Sequence, residues 1–141
     1  MRKIVLPAAA AALAVLAATP AAAADDSLGK REFETRCAMC HGVTGKGDGW
    51  LADYLMKRPP ALTQLKKNNG GVFPLADVID IIDGRKAVKV HGPREMPVWG
   101  TVYQEERKMA NEAGTEAPAD TLRMTRSKLR ALAYYISRLQ E

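Results

Sequence analysis

Cys37-Ala38-Met39-Cys40-His41 decides the reading of this chain. It holds both cysteines and one of the two histidines of 141 residues, in a C-x-x-C-H pattern that random placement would rarely produce. On a helix, residues three and four apart share a face. Two thiols at that spacing reach the two vinyl groups along one edge of a haem, and the imidazole that follows comes beneath the iron. One turn of chain then both staples the porphyrin and ligates it. Three other chemistries fit less well. A thioredoxin-like dithiol belongs within a βαβ pattern, and no β-branched strand precedes Cys37. A zinc site needs two further N or S ligands, and only His91 remains. A structural disulfide across so short a loop removes little chain entropy.

An iron held by one histidine has a second axial position, whose occupant largely selects the function. Met or His favours electron transfer, whereas an open side permits peroxidase or gas-binding chemistry. Met39 lies inside the attachment loop and cannot cross to the other face. Met56 sits in a helix-like run where a core methionine is the default. Met109 is in a charged run, and Met124 stands just before the last helical pattern. Met96 differs from all of these. It lies in His91-Gly-Pro-Arg-Glu-Met96-Pro97-Val-Trp99-Gly100, a glycine- and proline-rich loop, and Pro97 holds it extended so that its thioether can project. His91 is the rival ligand.

The first 24 residues are a separate piece. Met1-Arg2-Lys3 is followed by fifteen apolar residues, Ile4 to Ala18, and Ala22-Ala23-Ala24 precedes Asp25. This is the pattern of a secretory signal peptide cleaved after Ala24. The apolar run is shorter than the roughly 20 residues needed to span hydrocarbon. Cleavage leaves residues 25–141 as one domain and lowers the net charge from +5 to +3. That charge is too modest for nucleic-acid binding, which export also disfavours.

Periodicity predicts a first helix capped by Asp26 or Ser27 and running to about Cys40, with Leu28, Phe33 and Cys37 facing inward. Gly29 costs about 1 kcal/mol against alanine in a helix, which makes sense if another helix crosses there. A last helix starting near Thr125 or Ser127 places Leu129, Leu132, Ile136 and Leu139 inside, with Arg130 and Arg138 toward water. Residues 49–57 and 75–83 are short helical candidates. Asn68–Gly71 and Asp83–Arg85 are turns, and residues 86–90 form a brief strand or loop. Residues 101–124 read as a loop-like excursion. Their first part is acidic, and residues 121–138 carry five bases and no acid, so the two stay solvated, or the acidic segment packs beside the basic helix or forms a partner contact.

These features together resemble a monohaem class I cytochrome c. The resemblance rests on Gly29-x-x-x-Phe33-x-x-x-Cys37 leading into the haem motif, Gly45-Lys-Gly47-Asp-Gly49, Pro59-Pro60-Ala-Leu62-Thr63, Met96-Pro97 with Trp99-Gly100, and the Lys128–Leu139 helix. It implies an all-α small cytochrome c fold, with N- and C-terminal helices crossing and short helices wrapped around one covalent haem c. It also implies His41 and Met96 as axial ligands, a proline carbonyl (Pro60, or equally Pro59) bonded to the imidazole, and Leu62 packing on the haem. Val78, Ile82 and Trp99 are further pocket-wall candidates, and Trp50 or Arg58 a propionate contact.

The expected function is single-electron transfer in the periplasm, with iron cycling between Fe(II) and Fe(III) and no enzymatic turnover. The alternatives are a haem subunit of a dehydrogenase or oxidase complex, bound through residues 101–124, or an open-site protein acting on peroxide or a gas. Residues 57–94 hold eight bases and three acids, which suggests either a solvated surface or a docking face for acidic redox partners. Membrane contact is expected only through redox complexes or an uncleaved signal segment.

Overall fold

The computed structural model describes residues 21–86, 96–115 and 120–141. The body of the signal segment, His91 and residues 87–90 lie outside that range. Among the described residues there are six α-helices: α1 (Ala21–Glu32), α2 (Ala38–His41), α3 (Leu65–Asn68), α4 (Leu75–Asp83), α5 (Trp99–Glu112) and α6 (Thr121–Arg138). Single 3-10 turns at Ala52–Tyr54 and Leu62–Gln64 punctuate the loops. No strand occurs among the described residues, and none of their helices is long and apolar enough to cross a membrane. The expected all-α class is the observed one.

Helices α1 and α6 cross closely at Gly29. A Cβ there would overlap the Ala131 carbonyl oxygen and lie 2.9 Å from the Tyr135 Cβ, so only glycine lets the backbones approach this far. The crossing buries Phe33, Leu129, Leu132, Ala133 and Ile136, and Phe33 meets the Tyr135 ring at 5.3 Å between centroids. The i, i+3, i+4 spacing read from the sequence is thus the core face of α6, and Arg130 and Arg138 are exposed. Helix α4 adds Val78 and Ile82 to the same core, with Leu75 and Ile79 packed at its margin. It ends as expected at Gly84, which takes the left-handed conformation and donates its N–H to the Asp80 carbonyl.

Four expectations need correction. The first helix is already formed at Ala21, so Asp26 and Ser27 lie inside it rather than capping it. It also widens into a π turn over Phe33–Cys37, where the Ala38 N–H reaches the Phe33 carbonyl, and this rotates the attachment cysteines relative to a regular helix. Residues 49–57 form only one 3-10 turn, and Met56 is 88% exposed rather than a core residue.

The largest departure is 101–124. Instead of a loop-like excursion, the chain forms α5 and then starts α6 at Thr121, ahead of the expected Thr125 or Ser127. The Asp120 carboxylate caps α6 by accepting from the N–H groups of Leu122 (2.9 Å) and Arg123 (3.2 Å). The charged surface of α5 hid an inward side on which Tyr103 is buried.

The far end of α6 is tied down by Gln140. Its side-chain amide donates to the Leu62 and Ile136 carbonyls, both at 2.8 Å, and its oxygen accepts from the Lys66 N–H at 2.8 Å.

Gly29→Ala separates two opposed effects. Helix propensity alone would stabilise the protein, whereas the overlap with Ala131 should destabilise it by about 1–3 kcal/mol. Urea unfolding of the haem-loaded protein reads the sign.

Candidate functional site

The attachment motif sits at the end of the first helical segment. Cys37 closes the π turn, and Cys40 and His41 belong to α2, so all three fall on consecutive turns of one continuous helix. Both cysteines are partly buried and neither is in a disulfide. Burial, reinforced by the nearby Glu32 carboxylate, pushes the Cys37 thiol up to about 12.

The loop that follows fixes this turn by completing its backbone bonds. A helix leaves its last four carbonyls without partners. Here the Ala38 carbonyl accepts from Gly42 (2.8 Å), Met39 from Leu51 (2.9 Å), Cys40 from Gly49 (3.2 Å) and His41 from Gly47 (2.8 Å). Every carbonyl of α2 is thus held by the glycine-rich loop. Gly47 has φ +78°, and a Cβ there would overlap the Pro59 carbonyl, so the proline segment lies directly against this loop. The Leu62 N–H donates to the Gly45 carbonyl at 2.7 Å, drawing Leu62 to the same place. The His41 Nδ1 is shielded from solvent.

Tertiary structure brings the other predicted residues to one core. Cys37, Leu62, Met96 and Trp99 all pack as partly buried groups against the cluster that contains Phe33, Val78 and Ile82. Met96 to Val98 remain a loop, and Trp99 opens α5. Pro60 is exposed, as is Trp50, while Arg58 is paired with Asp53.

Two thiols on consecutive turns, an adjacent imidazole and a thioether on the same apolar core form a donor set that fits a covalently attached haem. Cys37 and Cys40 would hold it, and His41 would bind its iron.

Sequence reading missed a charged cluster beside Cys37. Glu32 is only 6% exposed. It accepts from Arg36 Nε at 3.1 Å and faces Lys128 Nζ at 3.5 Å. Arg36 also grips Glu106 of α5 with both terminal nitrogens, at 2.8 and 3.0 Å. Burial opposes the Arg36 charge, but Glu106 and Glu32 outweigh it and raise its pKa. Tyr103, buried beside Glu32, has its phenol pushed well above the ordinary range. The i, i+4 spacing of Glu32 and Arg36 was visible in the sequence, whereas nothing local pointed to Glu106.

An all-helical fold carrying this motif at the end of its first helix defines a haem-binding electron-transfer domain. The cytochrome c family model matches residues 27–140, and the chain belongs to the cytochrome c family. No curated protein and no solved structure matched it at a significant level. Family membership implies covalently bound haem c and electron transfer as the general function.

Replacing Cys37 and Cys40 together by serine should abolish haem that stays with the polypeptide on a denaturing gel. Each single substitution should leave one thioether, read as a shifted absorption maximum of the reduced pyridine adduct.

Proposed function

We propose that the protein is a periplasmic one-electron carrier with one haem c, ligated by His41 and Met96. The supporting observation is that Met96, remote in sequence from the attachment motif, packs against the same apolar core as Cys37. Bound haem supplies an iron that changes between Fe(II) and Fe(III), and a methionine ligand raises its potential. The chain's part is to hold the two ligands still. The bonded α2 carbonyls fix His41, and Pro97 and Trp99 fix the short segment that carries Met96. Leu62, Val78, Ile82 and Trp99 supply apolar surface that excludes water. The carbonyl of Pro60 or Pro59 is assigned as acceptor for the His41 Nδ1 proton, which would orient the ring.

The proposed role is a free carrier, with residues 101–124 serving the packing of the domain itself. In α5, Tyr103 is buried and Glu106 is engaged by Arg36 of the same chain, so this part of the segment is used in packing the domain itself. Export with cleavage after Ala24 completes the reading and places the carrier in the periplasm.

The basic region is less uniform than its composition implied. Arg58 pairs with Asp53, Arg85 with Asp80 and Asp83, and Lys86 with Asp77. Lys66 and Lys67 are exposed on α3, and we assign them as the core of the face that steers acidic redox partners.

The oxidised protein should show the weak long-wavelength methionine–iron(III) band, and Met96→Ala should abolish it, lower the potential and admit cyanide or carbon monoxide. A wild-type spectrum without the band would remove Met96 as ligand and favour the open-site reading. Electron-transfer rates with an acidic partner should fall as salt rises, less steeply in a Lys66→Gln, Lys67→Gln variant.

A further inference from the structure

We infer that Arg36 is a positioning residue for the methionine loop, clamping the start of α5 onto the helix that carries the haem-attachment cysteines. This rests on the reading of Met96 as an axial ligand. Arg36 immediately precedes Cys37, and its guanidinium contacts two further parts of the fold. Toward α1 it donates to Glu32 at 3.1 Å. Toward α5 it makes the two-pronged bond to Glu106 at 2.8 and 3.0 Å. It also lies 5.8 Å from the Trp99 ring centroid and 5.4 Å from that of Tyr103. The two rings themselves are 5.9 Å apart, so the cation and the rings form one group.

Lys128 joins this group from α6. Its ammonium stands 4.7 Å from the Tyr103 ring centroid and 3.5 Å from the carboxylate of Glu32. Arg36 and Lys128 together therefore join α1, α5 and α6 around one buried carboxylate and one buried phenol.

The link to Met96 is short and stiff. Trp99 follows Met96 by three residues, and Pro97 restricts the chain between them. Both Met96 and Trp99 pack on the core. Freeing the Trp99 ring therefore loosens the segment from which the thioether projects. A planar guanidinium can bind a carboxylate with two parallel bonds while facing aromatic rings, which an ammonium cannot do. A groove of about 410 Å³, lined in part by Arg31, Arg36, Tyr103 and Glu106, opens beside the cluster. Arg36 is consequently held by specific bonds and ring contacts rather than by complete enclosure.

Haem-loaded Arg36→Met, Arg36→Lys, Glu106→Gln and, as control, Glu34→Gln proteins provide the test. Urea titrations follow the methionine–iron band and the far-ultraviolet helix signal separately. In Arg36→Met the band should be lost at lower urea than the helix signal, with the methionine-detached state about ten- to a hundredfold more populated than in wild type. Arg36→Lys should recover part of the effect, Glu106→Gln should show a smaller separation of the two signals, and Glu34→Gln should match wild type. Glu106→Gln serves alone if Arg36→Met does not fold. Band and helix signals shifting together, or neither shifting, would overturn the assignment of Arg36. A wild-type protein lacking the band would overturn the Met96 reading and this inference with it, whereas a band present but insensitive to these substitutions overturns this inference alone.

Discussion

At Gly29 the backbone of α1 meets the Ala131 carbonyl of α6 with no room for a methyl group, and much of the rest is arranged around that contact. Helices this close bury Phe33, Leu132 and Ala133 completely, creating a core from very few side chains. The attachment turn begins four residues beyond Phe33, so its position is set by the crossing rather than by the turn itself. The π widening between them decides which way Cys37 and Cys40 face. The end of α6 then returns through Gln140 to the Leu62–Lys66 segment, so both ends of the crossing are connected to the neighbourhood of His41.

A redox protein benefits from ligands that do not rearrange when the iron changes charge. Rigidity here comes from backbone bonds on one side and from side chains on the other. The glycine loop satisfies the carbonyls of α2 one by one, which makes His41 part of a closed hydrogen-bonded turn. Among the described residues, no comparable ladder holds Met96. Three residues after it stands Trp99, whose ring contacts the core, Tyr103 and Arg36. Through Trp99 and Tyr103, α5 thus contributes to the core on which Met96 packs.

Particular residues show why some of this was legible and some was not. The C-x-x-C-H motif, the Leu129–Ile136 stripe, the helix over Leu75–Asp83 and the glycine at the crossing are local patterns with local physical causes. They could be read because spacing along a helix dictates which side chains share a face. Helix α5 was misread because its charges mask the apolar contribution of Trp99 and Tyr103. Met56 was misread because a helix-like run does not say which face, if any, is covered. The proline and methionine segments were recognisable by resemblance, but their proximity to one core was not a property of either segment.

The sequence by itself carried the C-x-x-C-H motif, the helical class and the residues of the central crossing. These depend on interactions between near neighbours or on a single close contact that glycine alone permits. Only the tertiary structure decided that Met96 and Cys37 share one core, that Gln140 closes the far end, and that Glu32, Arg36, Glu106 and Lys128 meet. Such pairings join residues far apart in the chain, and a carboxylate or guanidinium carries no local mark of its partner. What selects the partner is the helix packing, which brings these charges together around the buried carboxylate of Glu32.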